Sequence, residues 1–346
     1  MPRRSTRKGT RKARWTSLPD EELLRLRLCD LDLDLGDPFI RDNIAELMGE
    51  LAERGIAHEP TFWISEEWFS PDGIPGVAVP FYLCHPRLMR LEKRQMYEVE
   101  GGSREWCMRI LRHEAGHTID TAYRLARRAR FRELFGKDSQ KYPDEYAPKA
   151  YSKRHVLHLD SWYAQSHPSE DFAETFAVWL RPGSRWRARY EGWPALRKLE
   201  YVDELMAEIR GRKPLVTSRA RVDPLERLKK TLGDHYAEKR SRYETEQSRV
   251  YDGYLWRLFS QSPRGKGQAA SAFLKQHRAD LRRRVADWTG EYQYTVDQVL
   301  QEMIVRCREL KLRVTGSRNE ALLNTLLLLT AQTMQLLRGR HRRVAL

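Results

Sequence analysis

The sequence predicts an α+β fold over the first two thirds of the chain, followed by an all-helical, basic remainder. Three observations carry this reading. Two short runs rich in aromatic and β-branched residues, Thr61-Phe-Trp-Ile64 and Val77-Ala-Val-Pro-Phe-Tyr82, interrupt a chain whose other apolar residues recur at helical spacing. Charge is unevenly divided: residues 1–14 carry +7, residues 15–213 carry −4 and residues 214–346 carry +12, within a net charge of +15. Gly211-Arg-Lys-Pro214 sits at the second change of sign and reads as a linker. The expected organisation is a disordered basic tail (1–14), a mixed domain (15–213) and a basic helical domain (214–346).

The elements follow from local signals. Ser17-Leu-Pro-Asp-Glu opens a short helix with a capping residue, a first-turn proline and early acids. Asp37-Pro38 opens a longer one, with Ile40, Ile44, Leu47, Met48 and Leu51 on one face and Gly55 as its left-handed stop. The two apolar runs are strands around the turn-rich loop Ser70-Pro-Asp-Gly-Ile-Pro-Gly76, and Pro80 places the second at an edge or bulge. Gly101-Gly-Ser103 precedes a helix reaching about Ala129. Others run from Pro168 to just before Pro182 and from about Trp193 to Arg210. Beyond 214 the pattern is helical, broken at Ser262-Pro-Arg-Gly265 and Thr315-Gly316, with Tyr243, Tyr251, Tyr254 and Leu258 as a packing seam.

With 346 residues, 40% apolar and 32% charged, and a mean hydropathy of −0.72, the composition is that of a water-soluble globular protein. The longest apolar stretch, Leu322 to Leu337, contains six polar residues and reads as a buried helix rather than a membrane span. No apolar segment follows the basic tail, so a secretory leader is not expected and the location is read as cytoplasmic. Cys29, Cys84, Cys107 and Cys307 lack metal or disulfide spacing and are expected to be reduced.

The chemistry concentrates in His113-Glu-Ala-Gly-His117. On a helix, positions i and i+4 share a face, so both imidazoles can ligate one metal while Glu114 points at the remaining coordination positions. Two imidazoles, a carboxylate and an open position suit zinc. Asp120 and Tyr123 stand where a metzincin requires glycine and histidine, which excludes that class. A third donor is available in Ser166-His-Pro-Ser-Glu170-Asp-Phe-Ala-Glu174. Glu170 and Glu174 are four apart, so one can bind metal while the other accepts a hydrogen bond from a ligand histidine. Asp160, His155 and His158 are rivals for the third position. Asp120 is a further candidate partner of a ligand histidine, and His167 reads as a helix-start residue.

These two segments, together with Tyr163, resemble the gluzincin metallopeptidases, and most closely a bacterial family of zinc-binding metallopeptidases and the catalytic domain of anthrax lethal factor. That domain also has a tyrosine seven residues before its ligand glutamate and a Phe-Ala-Glu just after it, matching Tyr163, Glu170 and Phe172-Ala-Glu174. The resemblance spans about residues 60–180 and implies a zincin-like domain. It implies one zinc held by His113, His117 and Glu170, with Glu174 behind a ligand histidine, Glu114 as general base and Tyr163 as oxyanion partner. Lethal factor's substrate groove has no counterpart in this sequence.

The expected activity is hydrolysis of peptide bonds. Zinc brings the pKa of a water to about 7, and Glu114 takes the proton and delivers it to the leaving amine. An edge strand within Val77–Tyr82 is expected to pair with an extended substrate. Two alternatives stand beside this reading. One is a nucleic-acid- or protein-binding module built on the C-terminal basic helices, with Arg282-Arg-Arg284 and Arg338–Arg343 as the anion patch for nucleic acid, an anionic membrane surface or an acidic protein. The other is a zinc amidase acting on a non-protein peptide conjugate.

Overall fold

The structure is a computed structural model that describes residues 15–143, 145–149, 151–242, 252–260, 267–339 and 344–345. The basic tail over 1–14, Tyr243, Tyr251, the break at Ser262–Gly265 and the cluster Arg340–Arg343 lie outside the described residues.

In chain order the elements are α1 (Asp20–Leu23), α2 (Pro38–Glu53), β1 (Thr61–Ser65), β2 (Gly76–Pro80), α3 (Pro86–Met96), α4 (Arg104–Tyr123), α5 (Ala129–Leu134) and β3 (Glu145–Tyr146). They continue as α6 (Pro168–Leu180), α7 (Trp186–Arg189), α8 (Ala195–Ile209), α9 (Leu232–Arg242), α10 (Asp252–Leu258), α11 (Ala270–Thr289), α12 (Gln293–Glu309), α13 (Arg318–Gly339) and β4 (Val344–Ala345). The fold is mixed but dominated by helix, and the described strands form two short pairs: β1 with β2, parallel, and β3 with β4, antiparallel.

Local chemistry explains the helices that matter for the site. Asp37 accepts the Phe39 amide at 3.0 Å and caps α2, with Pro38 in the first turn. Ser103 caps α4. That helix stops at Tyr123, short of the expected Ala129, because Arg124 turns left-handed (φ 53°) and its amide is taken by the carbonyls of Asp120 and Thr121. His167 caps α6 by accepting the Ser169 amide at 3.2 Å.

Two expectations about exposure are corrected. β2 is buried at all five positions, and the side not paired to β1 is bridged at Ala78, whose amide donates to the Phe69 carbonyl at 2.8 Å. It is no free edge for a substrate strand, because the 66–75 loop folds back onto it. α13 buries one stripe that includes Ala321, Thr325 and Leu329, while Leu323 and Leu327 are exposed.

The chain divides into two compact units within α9: Val99–Tyr236, with the chain through Gln95, belongs to the first, and Met96–Glu98 and Ala237–Arg343 to the second. Composition places a linker at 211–214, yet the segment that follows lies on the first unit. Leu215 and Val216 donate to the Ala122 carbonyl, Trp63 Nε1 to the Val222 carbonyl and Ser65 Oγ to the Asp223 carbonyl. In the second unit α11, α12 and α13 enclose a core that includes Phe273, Leu281, Leu300 and Met303. The expected seam runs through Leu255 and Phe259 instead; Tyr254 is exposed and Leu258 only half-buried. The three arginines of the predicted patch face acids: Arg282 pairs with buried Asp297, and Arg283 and Arg284 with Asp280. Asp297 is shared with Arg278, so two carboxylates serve four guanidiniums and the cluster stays positive although each arginine already has an acidic partner.

Candidate metal centre

α4 and α6 cross antiparallel, with His113 opposite Glu174 and His117 opposite Glu170. Gly116 makes this approach possible. A Cβ there would stand 2.7 Å from the Ala173 Cα and 3.1 Å from its carbonyl oxygen, so the glycine inside the motif lets one helix lie against the backbone of the other.

Three donor atoms converge at the crossing. His113 Nε2 lies 2.9 Å from Glu170 Oε2, His117 Nε2 lies 3.2 Å from the same oxygen, and the two Nε2 atoms are 3.1 Å apart. His113, His117 and Glu170 are thus close enough to bind one metal ion. Four ligands around zinc at 2.0–2.1 Å stand about 3.3 Å from one another, close to the three edges of this triangle. The proton assignments agree. Glu174 Oε1 lies 2.9 Å from His113 Nδ1 and accepts its hydrogen, which leaves Nε2 as the nitrogen available to a metal ion.

The electrostatics of the site favour positive charge at its centre. Burial disfavours charged His113, but Glu170 and Glu174 outweigh it and hold this imidazole well above the usual histidine range. Burial likewise opposes ionised Glu170, and His117 and His113 overcome it to hold the carboxyl well below its ordinary value. A cation among these lone pairs supplies the same charge that protons otherwise supply.

Of the sequence candidates, His113, His117, Glu170 and Glu174 are brought together. The second oxygen of Glu174 accepts the Leu159 amide at 2.8 Å, so this carboxylate is held from two sides. Glu114 is buried, and its Oε2 has no partner among the described residues, an orphaned acceptor of the kind a proton-transfer site leaves open. The Tyr163 ring lies 5.5 Å from the His113 ring, and its hydroxyl pKa is pushed well up by burial, with Glu170 and Glu114 adding to the effect.

Asp120 behaves differently from expectation. Its carboxylate accepts the Ala126 amide at 2.7 Å and stabilises the turn that ends α4, with no hydrogen bond to His117 among the described residues. The rivals for the third position are engaged elsewhere: Asp160 is exposed beside Arg109, His155 lies 3.7 Å from Asp171, and His158 Nε2 is 2.9 Å from the Arg109 carbonyl.

One participant escapes sequence reasoning. Tyr142 donates to Glu170 Oε1 at 2.7 Å and stacks on His167 with ring centroids 3.8 Å apart. It therefore holds the oxygen of Glu170 that faces away from the histidines. Nothing local marks it, since it lies 28 residues before Glu170 in a polar segment.

The crossing of a His-Glu-x-x-His helix with a glutamate-bearing helix defines a candidate metal centre of the metallohydrolase kind. The model of a family described as "Putative zinc-binding metallo-peptidase" matches residues 106–183, which hold every residue named at this crossing. No curated protein and no solved structure matches the chain, so the likeness to lethal factor rests on its motifs alone.

Proposed function

We propose that this protein is a zinc-dependent metallopeptidase of gluzincin type that hydrolyses peptide bonds at the His113–His117–Glu170 set. The observation that carries this reading is the convergence of three lone-pair donors on one point, two of them from a helix that also presents buried Glu114, whose Oε2 has no partner among the described residues. The family likeness over 106–183 supports peptides as the substrate class.

Zinc at these ligands supplies Lewis acidity, bringing the pKa of a water to about 7 and polarising a carbonyl. The protein's own groups perform the rest. Glu114 accepts the proton of the attacking water on its free oxygen and passes it to the departing amine. Tyr163, beside His113, donates to the carbonyl oxygen as negative charge develops there. Glu174 fixes the His113 tautomer, and Tyr142 fixes the rotation of the Glu170 carboxylate.

The test combines metal analysis of the full chain with cleavage of a peptide library. One zinc per chain is expected, lost in Glu170→Ala and kept in Asp160→Ala. Glu114→Gln keeps zinc and fold while hydrolysis falls by about 100- to 10,000-fold, the usual contribution of a general base. Undiminished turnover in zinc-loaded Glu114→Gln, or a wild-type chain without zinc, defeats the reading.

A further inference from the structure

Along the α4–α6 crossing, on the side away from His117 and Glu170, the helices border a cavity of about 420 Å³. None of His113, Glu114, His117 or Glu170 lines it. Its walls come from the N-terminal half of α4 through Glu105 and Arg109, from the end of α6 through Arg181, from the end of α7 through Arg189, and from the loop that carries Asp160 and Trp162. With a rise of 1.5 Å per residue, Arg109 and Glu105 lie about 6 and 12 Å before His113 along the helix. The volume falls within the range of small-ligand sites.

The charges in the wall are unequally satisfied. Arg109 donates to the His158 carbonyl and lies 3.4 Å from Asp160, so it is already engaged. Arg181 and Arg189 meet no carboxylate among the described residues, and Glu105 is the one acid of the wall without a cationic partner there. Arg189 stands 5.8 Å from the Tyr190 ring centroid, and two guanidiniums without a carboxylate partner among the described residues, against one carboxylate, leave an excess of positive charge, presented by the side chain whose planar fork best matches carboxylate and phosphate oxygens.

Beside them, Ser161 and Trp162 both adopt the left-handed conformation (φ 57° and 55°), a costly arrangement for two successive residues bearing a Cβ. The Tyr146 hydroxyl donates to the Ser161 carbonyl at 2.8 Å and braces the kink. Trp162 remains 37% exposed at the cavity, where an indole offers an apolar face. Strain of this kind gathers at ligand clamps and functional sites.

We propose that this cavity is a second binding site, which takes a small ligand through a carboxylate or phosphate group held by Arg181 and Arg189, with the rest of the ligand against Trp162. The loop beneath it reaches the metal centre, because the Leu159 amide is held by Glu174, the partner of His113. The site does not depend on the peptidase reading, since its anion-binding groups are separate from the metal-binding set.

Titration calorimetry on the full chain at low ionic strength, with orthophosphate in one arm and succinate in the other, tests it. Saturable binding of one equivalent is expected in at least one arm: phosphate alone identifies a phosphorylated ligand, succinate alone a carboxylate ligand. The double variant Arg181→Gln/Arg189→Gln weakens binding by roughly tenfold or more, as expected for losing two charge-assisted contacts. Glu105→Gln strengthens it, because a repelling carboxylate is removed. All three side chains are at the surface, so melting temperature and zinc content stay those of the wild type. Absence of saturable binding in both arms overturns the proposal. So does binding that the double variant leaves unchanged or that Glu105→Gln fails to strengthen.

Discussion

Nδ1 of His113 and Oε1 of Glu174 lie 2.9 Å apart, and this contact decides which imidazole nitrogen faces Glu170. Its energetic weight comes from burial, because both side chains are nearly inaccessible to water. Glu174→Ala frees the tautomer and leaves the Leu159 amide without its acceptor. Groups of this kind behind a metal ligand typically contribute 10- to 100-fold to metal affinity, so zinc binding measured by chelator competition should weaken by about that factor. An unchanged affinity would show that the contact is ornamental.

Tyr142 and Tyr163 should separate cleanly. Tyr142→Phe removes the donor to Glu170 Oε1 and is expected to weaken zinc binding, by about tenfold at the low end of that range. Tyr163→Phe should leave zinc affinity unchanged while kcat and kcat/KM fall together, by about 2 to 4 kcal/mol of transition-state stabilisation. A Tyr163→Phe protein that melts earlier yet turns over normally would mark this ring as a packing residue.

Gly116→Ala tests the helix crossing. Alanine is the better helix former by about 1 kcal/mol, which on its own predicts a more stable protein. The added methyl would instead meet the Ala173 Cα at 2.7 Å, a backbone atom that cannot rotate away. We expect a net loss of about 1 to 3 kcal/mol in denaturant unfolding, together with lower zinc content as α4 and α6 are pushed apart. A stabilised variant would contradict the close approach.

Glu66 anchors the segment beyond residue 214. Its carboxyl is lowered from 4.5 to about 2, first by the hydrogen bond with His235, then against burial by Lys230, whose Nζ is 2.5 Å away. A depressed acid contributes stability that is fully present above its unfolded pKa near 4.5 and is lost as the pH falls toward 2, because the unfolded chain takes up the proton first. The contribution is about 2 to 3 kcal/mol after allowing for partial exposure. Unfolding curves between pH 7 and 2 should converge for wild type and Glu66→Gln at the acid end and diverge above pH 5. Parallel curves would refute the linkage.

The sequence by itself determined what depends on short separations along the chain. The i, i+4 spacing of His113 and His117 needs only a helix, and Ser103, Asp37 and His167 start their helices with bonds to amides two or three residues on. The α6 span from Pro168 was legible for the same reason, and the pairing of Glu170 with Glu174 on its face follows from the helical period. Tertiary structure decided everything that required two distant segments to meet. It brought Glu170, and not Asp160, to the two histidines, because the crossing at Gly116 and Ala173 aims one and leaves the other exposed. It brought in Tyr142, buried β2 beneath Phe69, and turned Arg282 onto Asp297. It also carried the 214–236 segment onto the first unit, where Glu66 meets Lys230 across more than 160 residues. Composition registers charge and turn residues, whereas these placements are set by which buried surfaces and hydrogen-bonding groups find partners once the chain has closed on itself.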